Sequence, residues 1–415
     1  MAQIIAKKPV MVAILTLLFA GDFFRNALTV PVWAALVIAT SMWSLVIVII
    51  NRVTWRALPI PLLALLGWWA ITPVWSPYAT TSLFMLLTVL LGVLFGLAIT
   101  SAIPVEELVR QSALSLRLIL FGSILFELSV ALIGHPVYPV GFSETSATPI
   151  EMAWSRGLFF SAGRIQGLVG NANVLGMLGL VLLIIGLWRV YASRQWRTVS
   201  VLDAALAIVI IARTMSATVT VTLVSLAVLL GLTALARRNG PWWRIGLGGA
   251  VAVIGGAMVA AMSQWSGVVA LLGKSPDLTH RIDIWSAVVD RIAEKPILGS
   301  GFVGWWPNWD PWFAIHAVDG MPMSQAHNVW LDITMQSGLV GALLFAVTLI
   351  ITLWTLWRTF AQSPLSIAAV PFLVLCALTV QSLTESRLLH EWGFVSFITC
   401  AIIAERIRVG PIDKL

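Results

Sequence analysis

Three short stretches bring together side chains that could handle an anion and a proton. His327 stands in Ala326-His327-Asn328-Val329-Trp330-Leu331, where a long connection ends and an apolar run begins. Histidine titrates near neutral pH and serves as a general base or acid. Gly338 follows eleven residues on. At about 100° per residue that is three turns plus about 20°, at a depth of about 16 Å. A helix through this run therefore sets His327 at the water boundary above Gly338 on the same face. The glycine leaves a groove suited to a lipid-borne substrate with its head outside and its tail along the helix. The plainer alternative is an interfacial histidine above a glycine that lets helices pack closely.

The second stretch is Gly163-Arg164-Ile165-Gln166-Gly167-Leu168-Val169-Gly170-Asn171-Ala172-Asn173. Its glycines, with Asn171 and Asn173, mark a turn that enters a helix. Backbone N–H groups near a helix start, beside Arg164, make an anion site; a turn and cap is the other reading. The third stretch carries Arg281 at the start of an amphipathic segment, followed by Lys295-Pro296-Ile297-Leu298-Gly299-Ser300-Gly301. Arg213 adds a cation between two apolar runs, where an ionisable group is costly and usually functional unless it snorkels to the surface.

The elements that must position these residues are membrane helices. Hydrophobic residues make up 59% of the chain and charged residues 10%. Soluble domains carry about 25% charged residues, so this chain cannot cover itself with a water-facing surface. Runs long enough to span a bilayer fall at 9–24, 28–50, 57–75, 81–101, 112–133, 172–190, 199–213, 217–236, 244–263, 328–356, 366–384 and 391–405. The expected fold is one all-α polytopic membrane domain over 1–415, with about twelve transmembrane helices. Basic residues, among them Lys7, Lys8, Arg52, Arg56, Arg110, Arg237, Arg238, Arg406 and Arg408, concentrate in gaps that alternate from the N-terminus. The positive-inside rule then puts both termini in the cytoplasm. It also explains most of the net charge of +7 without invoking nucleic acid.

Two long connections, 134–171 and 264–327, fall on the outer side. The second holds a predicted amphipathic helix from Arg281 to Lys295, with Ile282, Trp285, Val289 and Ile292 as its apolar stripe. Pro296 and Gly299 stop it, and such a helix is expected on the membrane surface. Trp is used 21 times against 3 Tyr, which fits an interfacial belt. Cys376 and Cys400 lie in apolar runs and are expected as buried thiols. No phosphate-cradling loop or dinucleotide fingerprint is present, and five scattered histidines supply no zinc-ligand spacing.

Taken together, these stretches resemble the O-antigen ligase and polymerase superfamily of bacterial envelope proteins. The resemblance rests on His327 with Gly338 after ten intervening residues, on Asn328 and Gly341, and on Gly167-x-x-Gly170-Asn171-x-Asn173. Arg281, Trp285, Pro296 and Leu298-Gly299-x-Gly301 add to it, as does Trp75-Ser76-Pro77. Around Arg213 the chain reads Ala212-Arg213-Thr214-Met215-Ser216, which departs from the family's Ser-Arg pair.

The resemblance implies a C-type, multi-spanning glycosyltransferase of the bacterial inner membrane. It implies transfer of a glycan from an undecaprenyl-diphosphate carrier to a glycan, glycolipid or protein acceptor on the outer face, with no cofactor and no metal. His327 then serves as base or acceptor-orienting group. Arg164, Arg281 and Arg213 grip the diphosphate, and Asn171, Asn173, Asn328 and Gly338 shape or support the groove. Trp305, Trp306, Trp309 and Trp312 either stack on sugars or anchor the interface. Two other readings are open. A transporter or flippase of lipid-linked glycans predicts ionisable groups near mid-membrane in symmetric halves. A shape-and-division peptidoglycan polymerase depends on an outer acidic residue, for which Asp277, Asp283 and Asp310 are available.

Overall fold

The structure is a computed structural model that describes residues 8–142, 150–192, 197–238, 281–307, 309–315, 324–363 and 365–410 of the chain. Among the described residues the chain is mostly helical, and extended backbone pairs at one bridge, Val137 with Ser155. In chain order the helices are α1 (Lys8–Phe19), α2 (Gly21–Ala27), α3 (Val30–Ile50), α4 (Ile60–Ile71), α5 (Ala79–Ala102), α6 (Val105–Ile133) and α7 (Ala172–Ala192). They continue with α8 (Arg197–Thr214), α9 (Ala217–Arg238), α10 (Arg281–Glu294), α11 (Pro311–Ile315), α12 (Val329–Gln362), α13 (Ala369–Gln381) and α14 (Glu391–Val409).

Six of them, α3, α5, α6, α7, α9 and α12, are long and apolar enough to cross a membrane. The expected span 9–24 is broken. Ala20 leaves helical geometry, and α1 and α2 meet at 79°. Asp22 sits in the first turn of α2, where the helix dipole favours an acid. Helices α4 and α13 are apolar but have 12 and 13 residues, about 18–20 Å of rise. Helices α8 and α14 carry charged residues within their length. The expected span 244–263 and part of the 264–327 connection lie outside the described residues.

Local chemistry explains the long elements. Helix α6 starts after Pro104, places Glu106 and Glu107 in its first turn, and stops at Gly134, whose φ of 83° lets its N–H cap Val130 O. Packing then decides which helices are central. Helix α7 has 78% of its apolar window buried, against 11% for α3. Small residues on α7 allow this: a side chain at Gly176, Gly179 or Gly186 would press on Thr214, Ile210 and Ser200 of α8. Gly92 and Gly96 of α5 admit Phe394 and Ile398 of α14 in the same way. Helix α3 leaves Ile38, Met42, Leu45 and Ile49 exposed, a rim suited to lipid.

Two sequence expectations change here. The helix over 281–294 forms, but its buried stripe runs through Ile284 and Val288, while Val289 is half exposed. Ile284 and Val288 dock on Trp306, Phe313, Ala326 and Met335, with Trp285 and Ile292 at the margin. The helix thus packs on the protein body rather than lying apart on the membrane surface, and the docked face is set by where α12 and the 302–313 segment stand. The run after His327 is not one straight helix either. Gly338 has φ 67° and ψ −176°, and α12 breaks there.

Candidate functional site

The break in α12 is filled by another part of the chain. Leu339 N and Val340 N donate to Pro296 O and Ile297 O at 2.8 and 3.4 Å. Ser300 N and Gly301 N donate to Met335 O and Gln336 O at 3.0 and 2.8 Å. A Cβ on Gly338 would overlap the Ile297 carbonyl, and one on Gly299 (φ 70°) would meet Gln336 O and Gly338 N. The two glycines allow backbone to touch backbone. Gly338 therefore does not line an open groove beneath His327, and His327 does not share a helical face with it, because His327 precedes the helix and Gly338 interrupts it. The Trp-Ser turn joins the same knot: Ser76 would collide with any side chain on Gly301, and Trp68 Nε1 donates to Ser337 O at 2.9 Å.

His327 lies just outside α12 at φ 51°, a conformation that costs a non-glycine residue free energy and is kept where the surroundings impose it. Both neighbours are fixed. Asn328 caps α12 through its side-chain oxygen, which accepts from Trp330 N and Leu331 N at 2.9 and 3.2 Å, and its Nδ2 donates to Leu383 O. Ala326 N donates to buried Asp332 at 3.1 Å, and Trp285 Nε1 donates to Ala326 O at 2.9 Å. Asp332 also accepts from Trp306 Nε1 at 2.8 Å and from Ser386 Oγ. One buried carboxylate thus holds both the residue before His327 and the residue after Glu385.

Glu385 is the centre of the site. Its Oε2 lies 2.9 Å from His327 Nδ1, and its Oε1 accepts from Arg281 Nη2 at 2.8 Å and Asn173 Nδ2 at 2.9 Å. Asn173 Oδ1 in turn accepts from Arg164 Nη2 at 2.7 Å and Ser216 Oγ at 2.8 Å. Arg164 Nε donates to Thr214 O. Burial alone pushes the Glu385 carboxyl up. The charge and hydrogen bond of His327, then Arg281 and Arg387, outweigh burial and hold it at about 2. Burial lowers the Arg164 guanidinium, repulsion from Arg156 and Arg281 adds to this, and Glu385 opposes it. Side-chain exposures of 29% for His327, 14% for Arg281 and 12% for Glu385 leave a path to the surface.

His327, Arg281, Arg164 and Asn173 are thus brought together, and Asn171 and Asn328 hold the helix starts beside them. Asn171 Oδ1 caps α7 by accepting from Asn173 N and Val174 N. Arg213 is not part of the network. Its Nη2 donates to the carbonyls of Leu158, Phe159 and Ser161 at 3.1, 2.7 and 3.3 Å, and so clamps that loop. The backbone amides expected to form an anion site are also engaged. Gln166 N and Gly167 N donate to Glu127 at 2.8 and 2.6 Å, and Leu168 N to Ser123 Oγ.

The four tryptophans divide. Trp306 is buried on Asp332, Trp312 lies under Arg291, and Trp305 stacks on His390 at 4.2 Å. Trp309 alone of these four is largely exposed. Burial first, and Arg387 against the opposing Glu391, hold His390 at about 3, so it stays neutral. Glu385, Asp332 and Glu127 are the residues that sequence patterns missed. Each is a lone acid beside or within an apolar run, and that isolation was the available signal.

The comparison with protein families covers part of this arrangement. Residues 202–346 match the family model of O-antigen ligase. The stretch carries Arg213, Arg281, His327, Asn328 and Gly338, while Arg164, Asn173 and Glu385 lie outside it. No curated protein matches the chain. The chain is thus similar to the O-antigen ligase family over residues 202–346, the stretch that holds His327 and the backbone knot at Gly338.

Proposed function

We propose that the protein transfers a glycan from an undecaprenyl-diphosphate carrier to an acceptor at the outer face of the inner membrane, without a metal. The bundle would make about twelve crossings, with 134–171 and 264–327 on the outer side. The observation that carries this reading is the single carboxylate of Glu385 joining His327, Arg281 and, through Asn173, Arg164.

An ionised carboxylate only accepts hydrogen bonds. Glu385 therefore takes Nδ1–H from His327 and leaves the Nε2 lone pair for a substrate. The acceptor hydroxyl gives its proton to Nε2 as its oxygen attacks the anomeric carbon. The bond from that carbon to the phosphate oxygen breaks, and its electron pair leaves with the carrier diphosphate. Glu385 steadies the imidazolium that forms, as a carboxylate does in hydrolytic triads. Arg164 and Arg281 stabilise charge on the leaving diphosphate, a task for which the guanidinium fork is suited. The family match supports glycan transfer at that coarser level. An ionisable network gathered at one end of the bundle favours a transferase over a carrier, which needs groups near mid-membrane.

The test is transfer by the purified full chain in detergent, from an undecaprenyl-diphosphate glycan to an acceptor glycan, with chelator present. Transfer should persist in chelator and be lost in His327→Ala. A requirement for added divalent ion, or wild-type transfer by His327→Ala, overturns the mechanism.

A further inference from the structure

We propose that Arg156 is a third guanidinium ligand of the diphosphate, in the role that spacing suggested for Arg213, and that it sets selectivity for diphosphate-linked over monophosphate-linked carriers. This rests on the transferase reading above.

Arg156 stands on a fixed piece of chain. Ser155 N and O pair with Val137 at 3.1 and 2.9 Å, and Ser155 Oγ donates to Glu127 Oε2 at 2.9 Å. On the other side Trp154 Nε1 donates to Leu168 O at 2.7 Å. The guanidinium begins from this anchored backbone, and its Nε is buried with no hydrogen-bond partner among the described residues. A buried donor left unmatched costs free energy, and a ligand is what would satisfy it. Arg156 is also close to the network: Ser155 before it shares Glu127 with Gln166 N and Gly167 N, just after Arg164, and its charge acts on Arg164.

The charges then favour a particular ligand. Arg156, Arg281 and Glu385 are the charged groups that act on Arg164. Arg387 also acts on Glu385 but is paired with Glu391, so Arg156, Arg164 and Arg281 remain against the one carboxylate of Glu385, an excess of two positive charges. Glu127 lies behind the loop, engaged with backbone amides and Ser155. A diphosphate diester brings two negative charges and a phosphate diester brings one. Arg213, held by three carbonyls, adds no free donor on the Nη2 side.

The experiment is equilibrium binding to the purified full chain in detergent. The probes are an undecaprenyl-diphosphate-linked sugar, an undecaprenyl-phosphate-linked sugar and inorganic diphosphate. Arg156→Gln should weaken the diphosphate lipid about tenfold or more, the worth of a charge-assisted hydrogen bond. It should weaken the monophosphate lipid less than about threefold. Arg156→Lys, which keeps the charge without the fork, should fall between and serves if the glutamine variant does not fold. Arg291→Gln, over Trp312 and outside the cluster, should bind as wild type. Inorganic diphosphate should displace the lipid from wild type and do so more weakly in Arg156→Gln. Unchanged affinities in Arg156→Gln, or equal losses for both lipids, overturn the assignment of Arg156 alone. A wild type that binds neither lipid removes the transferase reading with it. Binding of inorganic diphosphate without either lipid overturns the lipid carrier as the source.

Discussion

Two carboxylates, buried Glu127 on α6 and largely buried Glu385 after α13, do different work with the same functional group. Glu127 accepts from Gln166 N, Gly167 N and Ser155 Oγ. Those donors have no further chemistry to offer, so the carboxylate pins a loop. Glu385 accepts from His327, Arg281 and Asn173. Each of these keeps something for a substrate: a ring nitrogen, more guanidinium N–H groups, or a link to Arg164. Burial does not separate a structural acid from a functional one. The donors around it do.

The comparison is broken most directly at His327. His327→Ala should lower transfer by about 10²–10⁴-fold, the usual worth of a general base, while the protein still inserts and folds. Wild-type rates would leave Glu385 as a second structural acid. Next comes the pair of acids. Glu385→Gln should lower turnover at least about tenfold with little change in protein level, because a neutral amide steadies no imidazolium. Glu127→Gln should act on folding and not on turnover. It should lower the melting temperature and the yield of folded protein, at a cost of about 1–3 kcal/mol for disturbed buried hydrogen bonds, with turnover per folded molecule unchanged. Equal turnover losses in the two variants would erase the distinction.

Gly338 tests the knot that holds both regions. Even Gly338→Ala should cost about 1–3 kcal/mol, since φ is positive and the Ile297 carbonyl fills the space. Thermal melting in detergent measures this, and a tolerated leucine would refute the backbone contact. The smallest effect is on pH. Glu385 is held at about 2 against an ordinary 4.5, so its stabilisation is complete above about 4.5 and is lost as pH falls towards 2. The difference in melting temperature between wild type and Glu385→Gln should therefore be constant from neutral pH to about 5 and shrink below it. A difference that shrinks instead between pH 8 and 6 would mean that the carboxylate is not the titrating partner.

The sequence by itself determined the class of molecule and most of its helices. Low charge and long apolar runs leave a chain no soluble option, and 3.6-residue geometry turns those runs into helices. It also named His327, Arg281, Arg164 and Asn173, because such groups are rare among apolar residues and conspicuous in their turns. It could not decide which of them meet. Glu385 lies 58 residues after His327 and 212 after Asn173, and no local pattern encodes that approach. The same holds for the break at Gly338. A helical wheel assumes an unbroken helix, and only the carbonyl of Ile297, delivered by a distant loop, replaces it. Arg213 and Arg156 exchange standing for this reason too. Spacing shows where a cation is, but tertiary packing decides whether carbonyls already satisfy it.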